Sequence, residues 1–272
     1  MNHKMWLLAA ALAAMGLASG AQAANVALEL SLVIDVSGSV EGPDYAFQRK
    51  GYADAFRDTA IRDNILSFAS SGGVAVNVIQ FATGASVVLG WRILDSEDDI
   101  RALADAIDAM PRAGSGNTNV RDGMDLAIAE ITGNDLAGTR KVIDVSGDGF
   151  HNIDADCVPV LFSHPGACEA VQRQRDRAAD LDITVNGLAI EGYSSVHPSI
   201  ITDWYNDNVR TSDGFVSTAV NLTTFDVAVK AKIGREIVTP ESPMPEPGSL
   251  ALLALGLAGA ALSSRRAARI PS

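Results

Sequence analysis

Cysteine and histidine are scarce in this chain, with two and four copies in 272 residues. Two cysteines cannot build a disulfide-scaffolded fold or a cysteine-rich metal cluster. Cys157 and Cys168 are an even pair at short spacing, which predicts one disulfide. His151 and His164 stand near them, so a zinc site is the lesser alternative. Basic residues are also short: 21 Lys and Arg against 33 Asp and Glu, a net charge of −12. Such an acidic chain excludes nucleic acid as a partner and favours divalent cations near its surface. A G-x-S-x-G nucleophile elbow is missing, which argues against the usual serine hydrolase. Apolar runs are short as well: none approaches the ~20 residues that span a bilayer.

The two ends differ from the evenly apolar middle. Residues 1–23 begin with Lys4 in a short polar start. An apolar run over 6–18 and Ala21-Gln22-Ala23 follow, the pattern of a secretory signal peptide. That leader places both cysteines in an oxidising compartment. Residues 24–238 read as one domain, 239–248 as a Pro-rich linker, 249–264 as a short C-terminal membrane or sorting helix, and 265–272 as a basic tail. The order Pro245-Glu246-Pro247, short apolar helix, arginines resembles the PEP-CTERM sorting signal of Gram-negative bacteria. The resemblance implies export and transient anchoring in the inner membrane by the C-terminal helix. It further implies recognition by an exosortase and delivery to the cell surface, outer membrane or extracellular matrix. Loss of Lys4 with the leader and of Arg265, Arg266 and Arg269 with the tail takes the net charge from −12 to −16.

Within the middle, apolar runs at 28–35, 74–81, 141–145 and 183–190 predict buried strands. Shorter runs at 85–89 and 214–218 predict two more. Helices are predicted from Gly42-Pro43 onward, where Tyr45, Phe47, Tyr52 and Phe56 supply apolar faces, and over 97–110, where Ser96 caps. Others follow at 120–132, 169–181, 199–205 and 222–237. Strands alternating with helices spell a doubly wound, mostly parallel open α/β sheet with helices on both faces. In such sheets ligands bind at the carboxyl ends of the strands, where the strand order reverses.

The hexapeptide Val-Ile-Asp-Val-Ser-Gly occurs twice, at 33–38 and 142–147. Each copy is a buried strand running into its carboxyl-end loop, so both bring polar residues to one edge. The first supplies Asp35-x-Ser37-x-Ser39. The second leads to Asp148-Gly149, and Thr118 stands between them in a Gly-rich loop that opens a helix. A carboxylate with two hydroxyls at alternate positions offers hard oxygen ligands of the kind Mg²⁺ takes. Asp144, inside the second copy, reads as a hydrogen-bonded strand carboxylate. Asp144-x-Ser146-x-Asp148-Gly149 also mimics half an EF-hand loop, but Ala155 stands where that loop needs its Glu. His151, His164 and His197 read as solvated loop histidines, and Arg173, Arg175 and Arg177 as a solvated helix face.

Asp35-Val36-Ser37-Gly38-Ser39, Thr118 and Asp148-Gly149, in that order, resemble the metal-ion-dependent adhesion site of von Willebrand factor A (vWA) domains. Residues 142–149 and 232–237 resemble an uncharacterised bacterial branch of that family. The resemblance implies a Rossmann-like fold over about 27–237. It implies direct metal ligation by Ser37 and Ser39, direct or water-mediated ligation by Thr118, and outer-sphere or water-holding roles for Asp35 and Asp148. The implied cation is Mg²⁺, with Mn²⁺ or Ca²⁺ as alternatives. The implied partner is a protein that places an acidic side chain on the metal. This is a binding site rather than a catalytic one. A matrix component with a merely stabilising metal is the second reading, and a metal-assisted extracellular enzyme the third.

Overall fold

The computed structural model describes residues 23–157, 166–192, 197–221 and 224–238. The leader apart from Ala23, the linker, the C-terminal helix with its tail, Pro245, Glu246, Pro247 and His164 lie outside them. No helix among the described residues is long and apolar enough to cross a membrane.

Among the described residues, six strands form one sheet: β1 (Ala24–Asp35), β2 (Val74–Phe81), β3 (Ala85–Leu94), β4 (Leu136–Gly147), β5 (Thr184–Ile190) and β6 (Val216–Ala219). Their order is β3-β2-β1-β4-β5-β6. Only the β2–β3 pair is antiparallel. After β1 the chain builds outward to β2 and β3, then crosses back to start β4 on the other side. The strand order therefore reverses between β1 and β4, and their carboxyl ends flank the crevice where such sheets bind ligands.

Among the described residues, seven α-helices cover the two faces. One face carries α1 (Gly42–Arg57), α2 (Thr59–Ser67), α3 (Glu97–Ala109) and α7 (Phe225–Ile237). The other carries α4 (Val120–Gly133), α5 (Glu169–Asp180) and α6 (Ile200–Asn208). Strand alternation assigns the core residues: Leu28, Leu30, Leu32 and Ile34 meet the first helix set, while Val33 meets the second.

Local chemistry sets most boundaries. Pro43 sits in the first turn of α1. The Asp58 carboxylate accepts from the N–H groups of Ala60 and Ile61 at 3.0 and 3.4 Å and so starts α2. Ser96 caps α3, whose first turn holds three acidic residues. Some expectations need correction. Phe47 points to solvent rather than to the core, because the buried stripe of α1 runs through Tyr45, Gln48, Tyr52, Ala55 and Phe56. Strand β4 begins at Leu136, five residues before the predicted strand, since it pairs with β1 along its polar approach as well.

Candidate metal centre

Three loops meet at the carboxyl edge of β1 and β4. The first follows β1. Asp35 ends that strand fully buried, and its Oδ1 accepts the Ser37 N–H at 2.8 Å. This local turn aims Ser37 and Ser39 at the same point, their Oγ atoms 3.2 Å apart. The second loop precedes α4. Thr118 Oγ1 donates to Ser37 Oγ at 3.1 Å. The third follows β4, and Ser39 Oγ donates to Asp148 Oδ1 at 2.7 Å. The five residues singled out in the sequence thus lie together, four joined through side-chain oxygens and Asp35 joined through the Ser37 N–H.

Other residues hold the loops in place. Arg112 donates to the carbonyls of Val36 and Ser37 at 2.8 and 2.6 Å, and the Gly38 N–H donates to the Gly116 carbonyl at 2.8 Å. Asn152 clamps Thr118 from both sides: its Oδ1 accepts the Thr118 N–H at 2.9 Å and its own N–H donates to the Thr118 carbonyl at 3.1 Å. Asn119 caps α4 and also donates to the Thr83 carbonyl. Gly147 supplies space. A Cβ there would stand 2.6 Å from the Tyr205 hydroxyl and 2.8 Å from Asp35 Oδ2.

The electrostatics of the cluster are strained. Asp35 Oδ2 is buried without a hydrogen-bond partner. Burial, and then the nearby Asp148 charge, push the Asp35 carboxyl up from its ordinary range to about 7. Asp148 is also raised, chiefly by burial. The buried Tyr205 phenol is held well above its usual value by burial and then by the Asp35 and Asp148 charges. An unpartnered carboxylate oxygen, a second carboxylate and three hydroxyls fit a hard divalent cation, whose charge would relieve the burial penalty and the repulsion.

The sequence matches the family described as "Protein of unknown function (DUF1194)" over residues 25–241. The chain belongs to this family. Residues 245–266 match the PEP-CTERM protein-sorting motif, which marks the protein for export to the surface or the extracellular space. No curated protein matches. Among solved structures the fold is shared with vWA domains. The vWF domain of the type V pili tip protein Mfa5 from Porphyromonas gingivalis is 12% identical, TM-score 0.52, over 79% of this chain and 98% of that one. The pilus adhesin SpaC from Lactobacillus rhamnosus GG is 15% identical, TM-score 0.56, over 77% and 30%. The proximal thread matrix protein 1 of the mussel byssus is 14% identical, TM-score 0.53, over 79% and 47%. The chain thus spans less than half the length of the last two.

In this DUF1194 domain the repeated hexapeptide has a geometric explanation. β1 and β4 run parallel with Val33 beside Val145 and Ile34 beside Ser146. The two copies are therefore offset by three residues, an odd number, and their side chains face opposite sides of the sheet. Asp35 goes to the edge where Ser37, Ser39, Thr118 and Asp148 gather. Asp144 goes to the other face, where its Oδ1 lies 2.5 Å from Lys232 Nζ, with Glu236 Oε1 also 2.5 Å from that nitrogen. All three are buried. Burial, then the Asp144 charge, raises Glu236 to about 7, against the opposing pull of Lys232. The strand reading of Asp144 stands, with an ion pair in place of simple hydrogen bonds. The solvated reading of His151 does not: the ring is buried, with Nε2 2.9 Å from Asp154 Oδ2. Sequence reasoning also passed over Arg112, Asn152, Gly147 and Tyr205. The first three carry a weak signal, since each adjoins a predicted ligand loop; Tyr205 carries none.

Proposed function

We propose that this exported vWA-type domain binds a protein partner through a divalent cation held by Asp35, Ser37, Ser39, Thr118 and Asp148. An acidic side chain of the partner completes the site. The observation that supports this best is the convergence of five oxygen-bearing side chains from three loops at the strand-order reversal, with Asp35 Oδ2 buried and unpartnered. The cation would supply a positive charge that a carboxylate can approach. The chain's own residues do the rest: Asp35 fixes Ser37 through its N–H, Asn152 fixes Thr118, and Arg112 holds the turn between them. The oxygen-only donor set favours Mg²⁺, with Mn²⁺ or Ca²⁺ as substitutes.

The domain is read as residues 24–238, freed of a leader at 1–23 and carried by the linker 239–248 to the sorting segment 249–264 and basic tail 265–272. Transient inner-membrane anchoring and exosortase processing then deliver it to the surface, outer membrane or matrix of a Gram-negative bacterium. A pilus adhesin and a thread matrix protein share the fold, and both adhesive and purely structural roles are carried over here only as readings. The adhesive one is preferred because Ser39 and Asp148 meet at an exposed contact, where a partner can reach. An enzymatic reading has less support, since the acids that bear on the set, Asp35, Asp148 and the nearby Asp44, are carboxylates of the kind that hold a cation.

Capture of secreted host proteins on the immobilised protein, in Mg²⁺ and in chelator, tests the proposal. Binding should require Mg²⁺ and should be lost in Asp35→Ala at unchanged far-UV circular dichroism. Equal capture in chelator would sink the metal-bridged mechanism.

A further inference from the structure

Just beyond Asp148 a second cluster is assembled that the adhesion-type site does not use. Cys157 and Cys168 are joined in a disulfide. A ring nitrogen of His151 and the two sulfurs all lie within 4.8 Å of one another. His151 is buried, and its Nδ1 has no hydrogen-bond partner. Its Nε2 is engaged by Asp154 Oδ2 at 2.9 Å. The Asp154 N–H also lies 3.3 Å from that nitrogen. The carboxylate contact is shorter, and an ionised carboxylate can only accept, so the proton sits on Nε2 and the lone pair on Nδ1. Arg121 Nε, 3.3 Å from the same carboxylate oxygen, holds Asp154 in place. A carboxylate that orients an imidazole while the other nitrogen stays free is the outer half of a histidine–metal site.

We propose that, when the disulfide is reduced, Cys157, Cys168 and His151 Nδ1 bind a soft divalent cation such as Zn²⁺, with water at the fourth position. Two thiolates and one imidazole are a ligand set Zn²⁺ accepts, with Zn–S distances of about 2.3 Å. The chemistry balances. A dithiol reductant gives two electrons and two protons to the Cys157–Cys168 bond and leaves as its own disulfide. The two thiols then release two protons as the metal binds. Oxidation by a disulfide donor expels the cation and restores the bond. The loop carrying Asn152, the clamp on Thr118, is thereby pinned in both redox states: by metal where thiols are kept reduced, and by the covalent bridge after export. The proposal does not depend on the function of the Asp35 cluster.

The experiment uses the full chain, reduced by a phosphine, stripped by chelator and titrated anaerobically with Co²⁺. We expect one Co²⁺ per chain with thiolate-to-metal charge-transfer absorption, displaced by Zn²⁺ and lost on oxidation to the disulfide. Cys157→Ser should abolish the band. Asp35→Ala should leave it intact, which separates this site from the other. His151→Ala and Asp154→Asn should each weaken binding by about tenfold or more. If reduction unfolds the chain, recovery of its circular dichroism on adding Zn²⁺ supports the site, and failure to recover overturns it. A reduced chain without the charge-transfer band, or a His151→Ala variant that binds as tightly as wild type, overturns it too.

Discussion

Asp35 is the residue on which the metal proposal turns, and its ionisation gives a test that needs no partner. Its carboxyl is raised to about 7, mainly by burial, and Asp148 shifts in the same direction. In chelator the folded protein therefore keeps protons that the unfolded chain releases from about pH 4 upward. Where the native state binds more protons, stability falls as pH rises. The chelated protein should accordingly lose melting temperature between about pH 4 and pH 7, with Glu236 adding to the fall in the same window. A bound cation displaces those protons, so stabilisation by Mg²⁺ should be small near pH 5 and grow toward pH 7. At about 100 times its dissociation constant the gain approaches ~2.7 kcal/mol. That is several degrees, at about 2–4 °C per kcal/mol for a domain of this size. Differential scanning fluorimetry across this range, with and without Mg²⁺, reads both slopes; a chelated melting temperature that climbs through the window contradicts the account. Gly147 gives a second test at this scale. An added Cβ would collide with Tyr205 and Asp35 Oδ2, so Gly147→Ala should destabilise by about 1–3 kcal/mol, the usual cost of overpacking. It should also weaken the Mg²⁺ response, since the displaced group is a proposed ligand.

Among the elements, α7 depends on a charge that ordinary pattern reading misplaces. Lys232 lies between Asp144 of β4 and Glu236 one turn further along its own helix. Asn186 Nδ2 adds a hydrogen bond to Glu236 at 2.9 Å. Removing one partner of a buried ion pair typically costs about 3–5 kcal/mol, because the remaining charge is stranded. Lys232→Met should therefore lower urea stability by roughly that amount. Adding Asp144→Asn and Glu236→Gln to it should recover most of the loss. No recovery would mean that packing, not charge, holds the helix. The same region shows what the sequence made legible. Apolar runs bounded by turn residues identified all six strands, and the ordered Asp35, Ser37, Ser39, Thr118 and Asp148 lay where the fold brings them together. Some missed features share one cause: their partners are distant in sequence. A lysine in a helical segment looks solvated until β4 places Asp144 against it. His151 differs: its partner Asp154 is only three residues on, but no local pattern shows that the ring is buried. Helix α2 follows α1 with no glycine or proline between them, only the Asp58 cap, so its start leaves little trace in the pattern.

For the whole molecule, the question is what remains after export. The DUF1194 match ends at residue 241 and the sorting motif occupies 245–266. The two do not overlap, so a cut within the motif leaves the domain's own residues untouched. The fold is also self-contained on that side: Ile233 and Ile237 of α7 are buried in the core before the motif begins. The apolar stretch at 250–262 is shorter than the ~20 residues of an ordinary spanning helix. It therefore suits a temporary hold better than a permanent one. The arginines beyond it favour a cytoplasmic end, so an uncut chain would keep them inside while the acidic domain stands outside. Removal of the segment would take Arg265, Arg266 and Arg269 with it and leave the domain with a larger negative excess. The expected outcome is a surface-localised or released form whose intact mass lacks both the leader and the segment after the Pro245-Glu246-Pro247 motif. Deleting that tripeptide should leave the full tail in the membrane fraction. Recovery of peptides from residues 251–272 in the mature surface form of the unaltered protein would show a permanent anchor instead.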